Sequence, residues 1–250
     1  MKAFNVEGKI ALVTGANRGI GLAYVETLVK RGASKIYACA RDTSTLDQLA
    51  AIDKDRVEAT LLDVTNAEHI ENLKTKITSL DLLINNAGVI DACLSSADNA
   101  TEIAQKEMQT NYYAPMNLTH AFLPLLRQSK GAIINISSIA GISCFPSIGP
   151  YSATKAALHS LTQGLRTELD ADDIMVAGVY PGPIDTRMAE EFEMEKAPPS
   201  QVAERTFDGI EKGDVTIMPD AFSEQMYTAF LNSPADIEQI FADMHREYFS

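Results

Sequence analysis

Short apolar runs alternate along this chain with longer segments whose apolar residues recur at helical spacing. The runs fall at Ile10–Val13, Lys35–Cys39, Val57–Leu62, Leu82–Ile84, Ala132–Ile136 and Met175–Val179, with a later one near Val215–Met218. Helical patterns lie between them over Ile20–Lys30, Thr45–Ile52, Ala67–Ile77 and Ala100–Arg127, and in a segment opening at Tyr151. Strand and helix in turn predict an α/β fold: a parallel sheet of about seven strands with helices on both faces. Further helices are expected over Ser200–Glu211 and after Pro234, where Ser233 suits an N-cap and Ile237, Ile240, Phe241 and Met244 share one face. No repeat, low-complexity tract or linker interrupts the pattern, so residues 1–250 are expected to form a single domain.

Charge narrows the possible partners. A formal net charge of −13 would repel nucleic acid and anionic membrane, and no apolar run is long enough to span a bilayer. Cys39, Cys93 and Cys144 are odd in number and widely spaced, and the four histidines are scattered, so neither a disulfide framework nor a metal site is expected. Without a signal peptide at the N-terminus, a cytoplasmic setting is the default expectation.

Chemistry enters at the end of the first run. Thr14-Gly15-Ala16-Asn17-Arg18-Gly19-Ile20-Gly21 joins a strand to a helix. Glycines there let a pyrophosphate reach the N–H groups of the helix N-terminus, although a tight turn with no ligand would look the same. No Gly-Lys-Ser/Thr follows, which argues against a triphosphate-binding loop. Farther on, Pro150 suits a helix start, and Tyr151 and Lys155, four residues apart, share a helix face. A cation about 4 Å from a phenol is worth roughly 4 kcal/mol at an effective dielectric of 20, or about three pKa units. The pair is therefore expected to bring Tyr151 near pH ~7, poised to exchange a proton with a carbonyl or alcohol.

These motifs, in this order, resemble the short-chain dehydrogenase/reductase family from about Gly8 to Thr186. Thr14-Gly-x-x-x-Gly-x-Gly is similar to that family's cofactor turn, and Asp63-Val64 to its adenine contact. Asn85-Asn86-Ala87-Gly88 matches its fourth strand end, and Asn111, Ser138, Tyr151 and Lys155 match its catalytic tetrad in order and spacing. Pro181-Gly182-Pro183-Ile184-Asp185-Thr186 resembles the segment that meets the nicotinamide carboxamide. The resemblance implies a doubly wound Rossmann-type sheet, a dinucleotide across its strand ends, hydride transfer between a carbonyl and an alcohol, and a homodimer or homotetramer. It also implies that Ser138 orients the substrate oxygen, that Lys155 binds the nicotinamide ribose, and that Asn111 anchors a water. Pro115 fits the last point. It lacks the N–H that would return to the Asn111 carbonyl, so a kink is expected there.

The second strand bears on cofactor choice. Ala40 occupies the place where NAD users carry an acid, and Arg18 and Arg41 are suited to the extra phosphate of NADP(H), which is favoured over NAD(H). Asp42 is a possible local partner for Arg41. Cys144 and Phe145, with Met188, are expected to line the substrate pocket beside Ser138. Arg187 to Lys196 reads either as a lid or as an exposed acidic helix. The apolar stripe after Pro234 reads as packing, with closure of the pocket or contact with a partner subunit as the alternatives. A fold of this family that binds the nucleotide without turnover is the alternative function. A dehydratase or epimerase is disfavoured because only 64 residues (250 − 186) follow Thr186.

Overall fold

The computed structural model describes residues 2–190 and 193–249. Seven strands form one parallel sheet: β1 (Ile10–Thr14), β2 (Lys35–Ala40), β3 (Val57–Leu61), β4 (Leu82–Asn85), β5 (Ala132–Ile136), β6 (Met175–Val179) and β7 (Thr216–Ile217). Their order is β3-β2-β1-β4-β5-β6-β7, so the winding reverses between β1 and β4 and opens a crevice at the carboxyl ends of those strands. β1, β4, β5 and β6 are nearly continuous apolar runs because helices cover both faces. Successive side chains alternate between two cores: Ala11 and Val13 join Tyr24, Leu28 and Phe207 on one face, and Leu12 joins Leu73, Leu118 and Phe122 on the other.

Helices α1 (Gly19–Lys30), α2 (Leu46–Ala50) and α3 (Ala67–Lys76) follow the predicted positions. The long segment around Asn111 is not one helix. It divides into α4 (Ala100–Met108), a π-helical turn (Gln109–Tyr113) and α5 (Ala114–Ser129). The Ala114 N–H reaches back five residues to the Gln109 carbonyl, and Pro115, in the first turn of α5, has no N–H to offer Asn111. Leu118 and Phe122 belong to the core, whereas Tyr113 is 40% exposed. Helix α6 (Gly149–Glu168) starts two residues before Tyr151, with Pro150 in its first turn.

Beyond β6, helices α7 (Pro199–Lys212) and α9 (Pro234–Phe249) match the prediction, and Ser233 Oγ accepts the Ala235 N–H at 3.3 Å. Helix α8 (Ala221–Asn232) was not anticipated. Its start is a capping box in which Asp220 takes the Ser223 N–H and Ser223 returns the bond, with serine where glutamate or glutamine is usual. The expected lid or acidic helix over Arg187–Lys196 is, in its described part, a 3-10 turn (Arg187–Ala189) followed by irregular chain; Glu191 and Phe192 lie outside the described residues. An Ile184–Ala197 bridge closes the base of this loop. Among the described residues, no helix is long and apolar enough to cross a membrane.

Candidate active site

A cleft of about 1130 Å³ runs along the carboxyl ends of the strands, larger than a pocket for one drug-sized ligand (~300–1,000 Å³). Its floor is the β1–α1 turn. Gly15 and Gly19 have φ of 63° and 53°, which side-chain-bearing residues rarely adopt. A methyl group at Gly21 would stand 2.1 Å from the Gly15 carbonyl oxygen, and one at Gly19 would stand 2.9 Å from the Thr186 methyl. Thr14 Oγ1 accepts the N–H groups of Asn86 (2.9 Å) and Ala87 (3.0 Å), and Asn86 Nδ2 donates to the Thr14 carbonyl at 2.8 Å. The turn and the end of β4 thus form one rigid cradle, with the free N–H groups of α1 at its base.

Arg18, Arg41, Asp63 and Val64 line the cleft, and Ala40, which ends β2 just before Arg41, is buried behind it. Asp42 does not pair with Arg41. Its carboxylate accepts the Ser44 N–H (3.0 Å) and hydroxyl (2.6 Å), bonds that hold it below the usual carboxylate range. Among the described residues, neither arginine is in an ion pair. Asp63 takes the Thr65 N–H and hydroxyl, and these bonds hold it low as well. The residues present therefore fit a dinucleotide: a glycine cradle with no room for a methyl group, a helix N-terminus, and two unpaired guanidiniums.

At the middle of the cleft stand Ser138, Tyr151 and Lys155. Ser138 caps the turn after β5, accepting the Ala140 N–H at 3.1 Å and donating to the Pro181 carbonyl at 3.4 Å, and it lines the cleft with Tyr151. Ser137, its neighbour, donates instead to the Lys155 carbonyl at 3.0 Å and ties β5 to α6. Lys155 Nζ donates to the Ile136 carbonyl at 2.8 Å and lies 5.6 Å from the centre of the Tyr151 ring. A second buried chain links the strands to the same helix: Asn85 to Asn135 (2.9 Å) and Asn135 to Thr162 (2.9 Å).

This geometry overturns one expectation. Burial pushes the Tyr151 phenol up rather than down, the neighbouring Ser138 hydroxyl opposes the rise only in part, and Glu107 adds to it. Both groups are almost wholly buried (Tyr151 7% and Lys155 4% exposed), and the ammonium is bonded to a carbonyl beside the ring, so desolvation outweighs attraction. Burial likewise lowers Lys155 to about 8.

Asn111 is not on the cleft wall. It is fully buried behind it, where Oδ1 accepts the Val89 N–H and Nδ2 donates to the Val89 carbonyl and to Thr154 Oγ1, each at 2.9 Å. The remaining predicted residues do meet in the cleft: Gly15, Asn17, Arg18, Gly19, Ile20, Gly21, Arg41, Asp63, Val64, Asn86, Ala87, Gly88, Pro181, Gly182, Ile184, Thr186, Phe145 and Met188. Cys144 does not; it is exposed and turned away while Phe145 points in. The sequence reading missed Thr65, Lys106, Met194 and Phe222 as lining residues and treated Phe241 and Met244 mainly as packing. Asp220 was also missed. Besides capping α8, it accepts the Gly182 N–H at 2.8 Å and so anchors α8 to the end of β6.

A doubly wound sheet with a glycine cradle at its switch point defines a nucleotide-binding α/β protein. The short chain dehydrogenase family model matches residues 9–197. An uncharacterized oxidoreductase of Staphylococcus saprophyticus is 34% identical over 86% of this chain and 98% of its own. One from Staphylococcus aureus is 35% identical over 78% of this chain and 88% of its own. Among solved structures, a short chain dehydrogenase of Burkholderia cenocepacia in complex with NADP superposes with a TM-score of 0.87 at 31% identity, covering 99% of this chain and 100% of that one. A short-chain dehydrogenase of Streptomyces avermitilis gives 0.83 at 28%, covering 96% and 99%. This chain belongs to the short-chain dehydrogenase family and is an oxidoreductase of that family.

Proposed function

We propose that this oxidoreductase moves a hydride reversibly between NADP(H) and an apolar carbonyl/secondary alcohol pair, with Tyr151 as general acid and base. The observation that carries the reading is that Ser138, Tyr151 and Lys155 stand together on the wall of a cleft whose floor is a glycine cradle. Gly15 to Gly21 would hold the pyrophosphate, Asp63 and Val64 the adenine end, and Asn86 to Gly88 with Pro181, Gly182, Ile184 and Thr186 the nicotinamide end. The bound nicotinamide supplies or accepts the hydride.

The chain's own residues handle the oxygen. As the carbonyl carbon becomes an alcohol carbon, Tyr151 gives its proton to the developing alkoxide, and Ser138 donates a hydrogen bond to the same oxygen. A phenol raised by burial keeps its proton at neutral pH, which suits donation. Lys155 supplies positive charge beside the ring and would hold the nicotinamide ribose. Asn111 positions the Val89 loop and α6, with a water-anchoring role for its carbonyl beside the π-helical turn. Phe145, Met188, Phe222, Phe241 and Met244 present an apolar wall to the substrate. Tyr112 and exposed Tyr113 fit a homodimer or homotetramer through the α5 and α6 face, and three free cysteines fit a cytoplasmic setting.

NADPH and NADH oxidation over a panel of carbonyls tests this reading. NADPH is expected to be the better donor, with apolar carbonyls the best acceptors. Ala40→Asp is expected to shift the NADPH/NADH preference ratio at least about tenfold toward NADH, a change of about 1.4 kcal/mol. An unmoved ratio would contradict the assignment of the phosphate to this end of the cleft.

A further inference from the structure

We propose that Glu107 is the buried counter-charge of Lys155 and a positioning residue for the reaction. Glu107 sits one turn before Asn111, at the end of α4, and is 0% exposed. Its Oε1 accepts the Asp91 N–H at 2.7 Å, while Oε2 has no hydrogen-bond partner among the described residues. A sealed carboxylate with one oxygen unpartnered is costly to keep, so its charge needs a purpose. Glu107 and Asn111 grip alternate N–H groups, Asp91 and Val89, of the loop that follows β4. That loop runs beside Lys155: a methyl group on Gly88 would lie 3.3 Å from Asn111 Oδ1 and 3.6 Å from Lys155 Nζ.

Lys155 is itself a buried cation with no carboxylate within 4.0 Å among the described residues; its hydrogen bond goes to a neutral carbonyl. The charged and titratable groups facing Glu107 are Lys106 on its own helix, Asp91 on the loop, and Tyr151 and Lys155 on α6. Asp91 and Lys106 pair with each other at 2.8 Å, opposite charges that act on Glu107 in opposite directions. Glu107 is a charge that acts on both Lys155 and Tyr151: it opposes the desolvation that lowers the ammonium and helps hold the proton on the phenol. Removing it would weaken the site's hold on both protons without opening the fold, because an isosteric amide still accepts the Asp91 N–H.

The inference rests on the catalytic reading of Lys155 for its consequence in turnover, and the test separates the two. In full-length protein carrying 13C at the lysine ε-carbons, the Lys155 resonance, assigned with Lys155→Arg, is followed against pH. The wild-type midpoint is expected near about 8. Glu107→Gln, and Glu107→Met as a second charge-free variant, should lower it by about one pH unit, while Glu107→Asp should leave it near wild type. In the same variants the basic limb of kcat/KM for carbonyl reduction should move by the same amount, which a role confined to loop packing would not produce. An unmoved midpoint in either folded charge-free variant overturns the proposal, as does a Glu107→Asp midpoint that falls as far as theirs. Wild-type protein that titrates as expected but never oxidises NADPH would sink the reductase reading and leave Glu107's electrostatic role standing.

Discussion

The glycine turn between β1 and α1 and the apolar wall carried by α8 and α9 line the same cleft but are built in different ways. The turn is local backbone chemistry: positive φ at Gly15 and Gly19, and threonine and asparagine side chains that lock two adjacent strand ends. The wall is assembled by packing between distant segments. Phe241 meets Phe145 edge-on at 5.4 Å and lies parallel to Phe222 at 6.5 Å, around a cluster that includes Met226 and Ile237. A polar anchor, Asp220 to the Gly182 N–H, fixes the start of α8 against the end of β6. The difference separates the jobs. On the proposed function, a nucleotide common to many reactions would be held by residues whose type and spacing cannot vary, while the substrate would meet side chains that need only be apolar and of suitable shape.

Substitutions on the two sides should therefore fail differently. The largest effect is expected at Gly21→Ala, where the new methyl group meets backbone. Overpacking of that kind costs about 1–3 kcal/mol, and at roughly 2–4 °C per kcal/mol Tm should fall by about 2–12 °C. NADPH binding, followed by fluorescence titration, should be lost; binding retained within about threefold would remove the turn from the cofactor site. Phe241→Ala, at a residue only 1% exposed, should leave NADPH affinity within about threefold while raising KM for apolar carbonyls about tenfold. Loss of cofactor binding in that variant would erase the distinction between the two sides.

The same contrast explains what was legible in the sequence. The strands, the cradle, Ser138 and the break near Asn111 were readable because each depends on residue type at fixed spacing; Pro115 alone announces the lost N–H. The Tyr151–Lys155 pair was readable as a shared helix face, but the direction of the Tyr151 shift was not. Spacing reports neighbours and says nothing of how completely β5, the following turn and α6 exclude water. Cys144 and Phe145 are adjacent and point opposite ways, a choice made by the packing of Phe145 against Phe241. Helix α8 escaped because its cap uses Ser223 in place of the usual acid or amide. Glu107 lies on an ordinary helical pattern, and nothing around it in the sequence reveals that it is sealed from solvent against the loop after β4.

The central claim is that the Tyr151 hydroxyl delivers the proton to the reacting oxygen. Comparing Tyr151→Phe with wild type tests it directly, by kcat for NADPH-dependent carbonyl reduction alongside NADPH affinity. Loss of a positioned general acid predicts a fall of about 10³-fold in kcat, within the usual 10²–10⁴ range, with NADPH affinity unchanged within about twofold. A variant that keeps kcat within about tenfold of wild type would contradict the account, because the chemistry would then proceed without the group the cleft is built around.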